Sequence, residues 1–168
     1  MRYLLDTNTC IRFLRQRHFR LVERVRSHSP SQVCVCSVVV AELFHGSERS
    51  EHPASNREKI LAFLRPFVSF PFDDKAAVVH AAIRRRLEAA GSPIGPYDSQ
   101  IAAIALVHGL TVVTHNTAEF ARVPELKLED WESDWKGAEG LCRAPAGRLG
   151  SGKRGVFSGQ PKRENGDG

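Results

Sequence analysis

The sequence contains no stretch approaching the ~20 consecutive apolar residues that a membrane-spanning helix needs. Its first hydrophobic segment, Tyr3-Leu4-Leu5, meets Asp6 before it reaches the length of a signal-peptide core. A cytoplasmic protein that makes no membrane contact is the expectation. Cysteine is scarce as well. Cys10, Cys34, Cys36 and Cys142 have neither C-x-x-C spacing nor an accompanying histidine pair, which argues against a zinc module and against a disulfide framework. Buried free thiols are expected instead. Nor is there a charge excess large enough to act by itself. The formal net charge is +5, but residues 137–168 hold six Lys and Arg against three Asp and Glu, so +3 of it lies there and only +2 over residues 1–136. Bulk charge therefore does not identify a nucleic-acid protein. The cluster Arg84-Arg85-Arg86 suits a solvated helix face first and a phosphate backbone second.

What the sequence does have is enough apolar material for one core, 42% of 168 residues, and too little length for two. From Gly137 the composition changes: nine glycines and two prolines separate single apolar residues that follow no period. Such a segment cannot bury enough surface to offset the entropy of ordering it. The reading is one domain over residues 1–132 and a flexible Gly/Arg/Lys-rich tail over 133–168.

Within the domain, apolar periodicity predicts strands at 2–5, 32–36, 67–70, 110–114 and 126–128. Helices are predicted at 9–15, 19–26, 38–49, 56–64, 74–90 and 98–108, with a last turn at 117–120. Strands alternating with helices imply an α/β sandwich on a largely parallel sheet. In an open parallel sheet, sites form in the crevice beyond the carboxyl ends of the strands. Asp6, in "LLDTNT", directly follows the first strand, and Asn116 and Glu119, in "VVTHNTAEF", directly follow the fourth. Glu42 interrupts the apolar helix "SVVVAELFHG", and Asp98, in "PYDSQIAA", stands where another apolar helix begins. Each has an ordinary explanation. Asp6 suits an Asx-turn, Asn116 with Glu119 a capping box, Glu42 a gap in an imperfect apolar face, and Asp98 the N-cap of the helix it heads.

Taken together they point further, because several carboxylates converging on one point repel one another unless a cation offsets them. The donors are all oxygen, so the expected ion is hard, Mg²⁺ or Mn²⁺. Its chemistry in such a cup is phosphodiester hydrolysis.

The segments "YLLDTN", "VVVAELFHG" and "PIGPYDSQIAAIALVHGLTVVTHNTAEFARVPELKLEDW", in that order, resemble the PIN-domain ribonucleases and, within them, the VapC toxins of VapBC toxin–antitoxin pairs. The resemblance runs from Met1 to about Trp131. It implies a PIN-like α/β/α sandwich with a central, mainly parallel sheet, RNA cleavage within a tRNA or rRNA loop, inhibition by a VapB-like antitoxin protein, and a homodimer. On it, Asp6, Asp98 and Glu42 match the metal-binding acids, and Asn116 and Glu119 match the polar and acidic positions of the last catalytic segment. Thr7, Asn8, Ser99 and Thr114 match polar neighbours. The cofactor implied is Mg²⁺, with Mn²⁺ as a substitute. Two positions depart from the family's pattern. Asn116 stands where many PIN domains carry Asp, which leaves open whether one metal ion or two is bound, and His115 stands where close relatives commonly carry Asn.

Rival chemistries fit less well. A phosphatase using Asp6 as nucleophile wants a second Asp two residues on, and that residue is Asn8. PIN-type DNA nucleases tend to be longer, and a catalytically dead binding module has no need of Asp6, Glu42 and Asp98 together.

Overall fold

The structure, a computed structural model, describes residues 2–133. The tail expected over 133–168 lies outside that range except for Ser133, as does Cys142. The elements run β1 (Tyr3–Leu5), α1 (Thr7–Leu14), α2 (Phe19–Ser27), β2 (Val33–Cys36), α3 (Ser37–Glu48) and α4 (Pro53–Leu64). Then follow β3 (Val68–Phe70), α5 (Asp74–Ala89), α6 (Pro96–His108), β4 (Thr111–Val113), α7 (Thr117–Phe120) and β5 (Lys127–Glu129). No helix among the described residues is long and apolar enough to cross a membrane.

The five strands form one sheet in the order β3-β2-β1-β4-β5, and every neighbouring pair is parallel. Strands this short are committed to the interior by composition. Val33-Cys34-Val35-Cys36 and Thr111-Val112-Val113 are buried at every position, on both faces of the pleat, as expected for parallel strands covered by helices on either side. In register, Leu5 lies opposite Val113, and Val113 opposite Glu129. The carboxyl ends of β1, β4 and β5 are therefore level, and the residues after them emerge along one edge.

The predicted elements form, with boundaries moved by one to three residues. The largest shift is in α4, which starts at Pro53 rather than Asn56 because proline suits the first turn of a helix, where its missing N–H has no partner to lose. A second shift bears on function: α6 begins at Pro96, and its N-cap is Gly95. Asp98 sits inside the first turn and is not the cap. The helix ends on Gly109 at φ +62°, a left-handed conformation that glycine adopts without steric cost.

The core joins both faces of the sheet and is closed at its end by Trp131, 1% exposed although it lies beyond the last strand. Its indole stacks on His28 with ring centroids 4.8 Å apart, meets the Tyr3 ring edge-on at 5.0 Å, and donates from Nε1 to Glu129 Oε2 at 2.8 Å. Cys10, Cys34 and Cys36 are buried free thiols, as anticipated. Burial pushes Cys34 up to about 12 and Cys36 up to about 11, and raises Cys10 well above the ordinary thiol range.

Candidate active site

Asp6 is the first residue after β1 and is 2% exposed. It is the N-cap of α1: its Oδ1 accepts from the Thr9 N–H at 2.6 Å, so its ordinary role is that of a helix cap and not of an Asx-turn. Its other oxygen, Oδ2, accepts from Thr114 Oγ1 at 2.6 Å. Thr114 Oγ1 in turn accepts from the Asn116 N–H at 2.9 Å, tying the end of β4 to the end of β1. Hydrogen bonds from Thr114 and Thr9 favour the charged carboxylate, yet burial outweighs them and the Asp6 pKa is raised.

Glu42 lies on α3, half-buried, and accepts a short hydrogen bond from Thr7 Oγ1 in the first turn of α1. It is thus fixed against α1 and does not hang in a gap of the apolar face. At the far side, Asn116 is the N-cap of α7 but makes no side-chain cap bond. Its amide Nδ2 donates to Glu119 Oε2 instead, so the pair forms a contact that orients the acid and not the capping box that would explain it ordinarily.

Asp98 completes the group from the first turn of α6. Its carboxyl is raised to about 6, first by burial and then by the charges of Glu119, Asp6 and Glu42, with side-chain hydrogen bonding to Glu119 adding to the shift. All four acids therefore act within one field, although they come from four different segments. Asn8, by contrast, is exposed on α1. The site-lining polar residues are Thr7 and Thr114, while Ser99 faces away toward α5.

Two residues in this neighbourhood have no precedent in the motif reading. His80, on α5, pairs its Nε2 with Ser99 Oγ at 2.9 Å. Ser99 commits its own proton to the Pro96 carbonyl at 2.8 Å, so His80 is the donor. Burial and Arg84 lower its pKa, in keeping with a neutral ring. This chain braces the turn that carries Asp98, and no local signal reveals it, because the partners are 19 residues apart. The other is Glu132, whose side chain is 4% exposed and pairs with Arg12; its charge contributes to raising Asp6. His115 is exposed and meets Asp130, Nδ1 to Oδ2, at 3.1 Å. Arg84, Arg85 and Arg86 are exposed on α5, with Arg84 paired to Glu88.

Among the described residues, no group of three or more His, Cys, Asp or Glu side chains stands close enough to hold a metal ion unaided. The chemistry of the donors nonetheless fits Mg²⁺. They are all oxygen, and this ion keeps several of its waters and takes one or two carboxylates in place of a closed cage.

The model of the family described as "PIN domain" matches residues 3–126. The chain belongs to the PIN domain family. Within that family its relatives are VapC ribonucleases. The "tRNA(fMet)-specific endonuclease VapC" of Salmonella typhimurium is 37% identical over 131 residues, covering 78% of this chain and 98% of that protein. "Ribonuclease VapC2" of Haemophilus influenzae is 36% identical over the same shares of the two chains. Among solved structures, VapBC2 from Rickettsia felis bound to a DNA fragment from its promoter superposes with a TM-score of 0.73 at 31% identity, covering 78% of this chain and 99% of that one. The sandwich inferred from alternating strands and helices is thus the PIN fold. The candidate site lies along the carboxyl edge of β1 and β4.

The electrostatics of this edge give a stability prediction. A carboxyl whose folded pKa is raised contributes stability that is fully present below its unfolded pKa and is lost as pH rises through the folded value. For Asp98 that window runs from about 4 to about 6, and Asp6 acts in the same direction. In EDTA, lowering the pH from 7 to 5 is therefore expected to raise the melting temperature, the two acids outweighing His80, whose lowered pKa acts in the opposite direction. Because Asp98 is only half-buried, the gain is on the order of 1 kcal/mol once screening is allowed for. A Mg²⁺ ion that bound these acids in the folded state alone would raise the melting temperature at pH 7 as well. Scanning calorimetry at the two pH values, with EDTA or Mg²⁺, is the check; a melting temperature lower at pH 5 than at pH 7 in EDTA contradicts the prediction.

Proposed function

We propose that the chain is the toxin of a toxin–antitoxin pair and a Mg²⁺-dependent endoribonuclease that hydrolyses phosphodiester bonds in RNA. The observation that carries this reading is the gathering of Asp6, Glu42, Asp98 and Glu119 within one field, where burial first and then the charges of the other three acids raise Asp98 to about 6. A tRNA or rRNA loop is the substrate class, and the name of the S. typhimurium relative favours tRNA. A VapB-like antitoxin is the protein partner, as in the VapBC complexes that the fold matches; the working unit is a cytoplasmic homodimer.

Asp6, Asp98 and Glu42 are the residues that would hold Mg²⁺ or Mn²⁺. When bound, such an ion neutralises charge on the scissile phosphodiester and acidifies water for in-line attack. The protein's own part is orientation. Thr114 and the Thr9 N–H fix both oxygens of Asp6, Thr7 fixes Glu42, and Asn116 turns Glu119 toward Asp98. Held this way, the acids lose little freedom when substrate arrives.

The test is incubation of purified protein with structured RNA and with DNA of matching sequence, each in Mg²⁺, Mn²⁺ and EDTA. The expected result is RNA cleavage with either metal and none in EDTA. Equal cleavage in all buffers overturns the metal mechanism, and DNA cut as readily as RNA overturns the substrate class.

A further inference from the structure

Gly95 occupies a position where glycine's conformational freedom serves no purpose. It precedes Pro96, and a residue before proline is steered to extended or polyproline backbone whatever its type. Its φ of −53° and ψ of 145° lie in that region. What glycine contributes here is the missing side chain. A Cβ built on Gly95 would lie 3.3 Å from Asp98 Oδ2, 3.7 Å from its carboxyl carbon and 3.9 Å from its Cβ. Asp98 therefore folds back over the start of its own helix, with its carboxylate resting on the bare face of Gly95.

We infer that Gly95 is a positioning residue for Asp98: its lack of a side chain lets the Asp98 carboxylate lie back against the N-cap of α6 and sets the height at which that acid faces Asp6, Glu42 and Glu119. This rests on the metal-binding reading of those acids. A methyl group at position 95 leaves the backbone unstrained, so it is the carboxylate that must give way. The displacement needed is a few tenths of an ångström, and an acid that shares a small, geometrically demanding ion with others is sensitive on that scale. His80, through Ser99, holds the Pro96 turn on the other side, which closes the route by which the whole turn would move to accommodate the change.

The experiment compares the parent, Gly95→Ala, Asp98→Ala and the double variant. Melting curves in EDTA and Mn²⁺ titrations followed by electron paramagnetic resonance are recorded for each. The expected result is that Gly95→Ala weakens Mn²⁺ binding about tenfold, the size of effect typical when a group that orients a metal ligand is changed. In EDTA it lowers the melting temperature when Asp98 is present and leaves it unchanged or raised in the Asp98→Ala background, where nothing meets the methyl group. Unchanged Mn²⁺ affinity in Gly95→Ala overturns the positioning role, and so does an equal shift in melting temperature in both backgrounds. A parent protein that takes up no Mn²⁺ overturns the metal reading itself, which separates that failure from the failure of Gly95.

Discussion

Asp98→Asn is expected to abolish RNA cleavage while leaving the metal-free protein as stable as the parent or more so. Asparagine has nearly the same shape and fills the same space above Gly95. The charge is what changes. Because Gly95, and not Asp98, is the N-cap of α6, no capping bond is lost. The folded state sheds one of four mutually repelling carboxylates, the one raised to about 6 by burial first and then by the other three. Cleavage is another matter. Groups that only orient a metal ligand typically cost 10–100-fold when removed, so a ligand itself should cost at least about 100-fold. Single-turnover cleavage in Mg²⁺ and a melting curve at pH 7 in EDTA are the measurements. An active variant returns Asp98 to the role of an ordinary helix residue; an inactive one that also melts well below the parent means that the acid is structural.

Trp131→Ala should produce the largest loss of stability of any single change at the end of the domain. The side chain is almost wholly buried, stacked on His28, crossed by Tyr3 and approached by the Arg24 guanidinium at 5.3 Å from the ring centroid. Truncating a buried tryptophan to alanine costs about 3–5 kcal/mol, a large part of the roughly 5–15 kcal/mol that holds a domain together. Trp131→Phe keeps most of the stacking and forfeits the hydrogen bond to Glu129, so its loss should be nearer 1 kcal/mol. Urea unfolding of both variants gives the comparison. If Trp131→Ala unfolds within about 1 kcal/mol of the parent, the size of a single hydrogen bond, the domain's packing ends before this residue.

Most of the architecture was legible because its signals are local and strong. Short apolar stretches such as Val33–Val35 and Val112-Val113 alternate with segments of helical period, and β1 ends directly on an acid, Asp6. Asp6, Asn116 and Glu119 could be located because position after a strand is itself information. Helix starts were harder to read. At α6 the sequence offers both Gly95-Pro96 and Asp98 as signals, and proline's fixed φ wins over aspartate's capping tendency. The details of the site were illegible for a different reason. That Thr7 holds Glu42, that Asn116 turns Glu119, and that His80 braces Ser99 all depend on side-chain directions or on partners distant in sequence. Gly95 was overlooked because a glycine between prolines reads as a turn, whereas its significance lies in a carboxylate three residues on.

The hydrogen bond from Thr114 to Asp6 joins residues 108 positions apart, and β1 pairs with β4 as well as β2. This has a consequence for the timing of synthesis. A ribosome adding about 5–20 residues per second needs roughly 5–20 s to pass from one partner to the other, and throughout that interval the emerging chain has its first acid but not the Thr114 hydroxyl that fixes its second oxygen. Early fragments, whether stalled or cleaved, are therefore inert as nucleases. A cell making this protein meets its activity only in nearly finished molecules, which leaves a translated inhibitor time to be waiting.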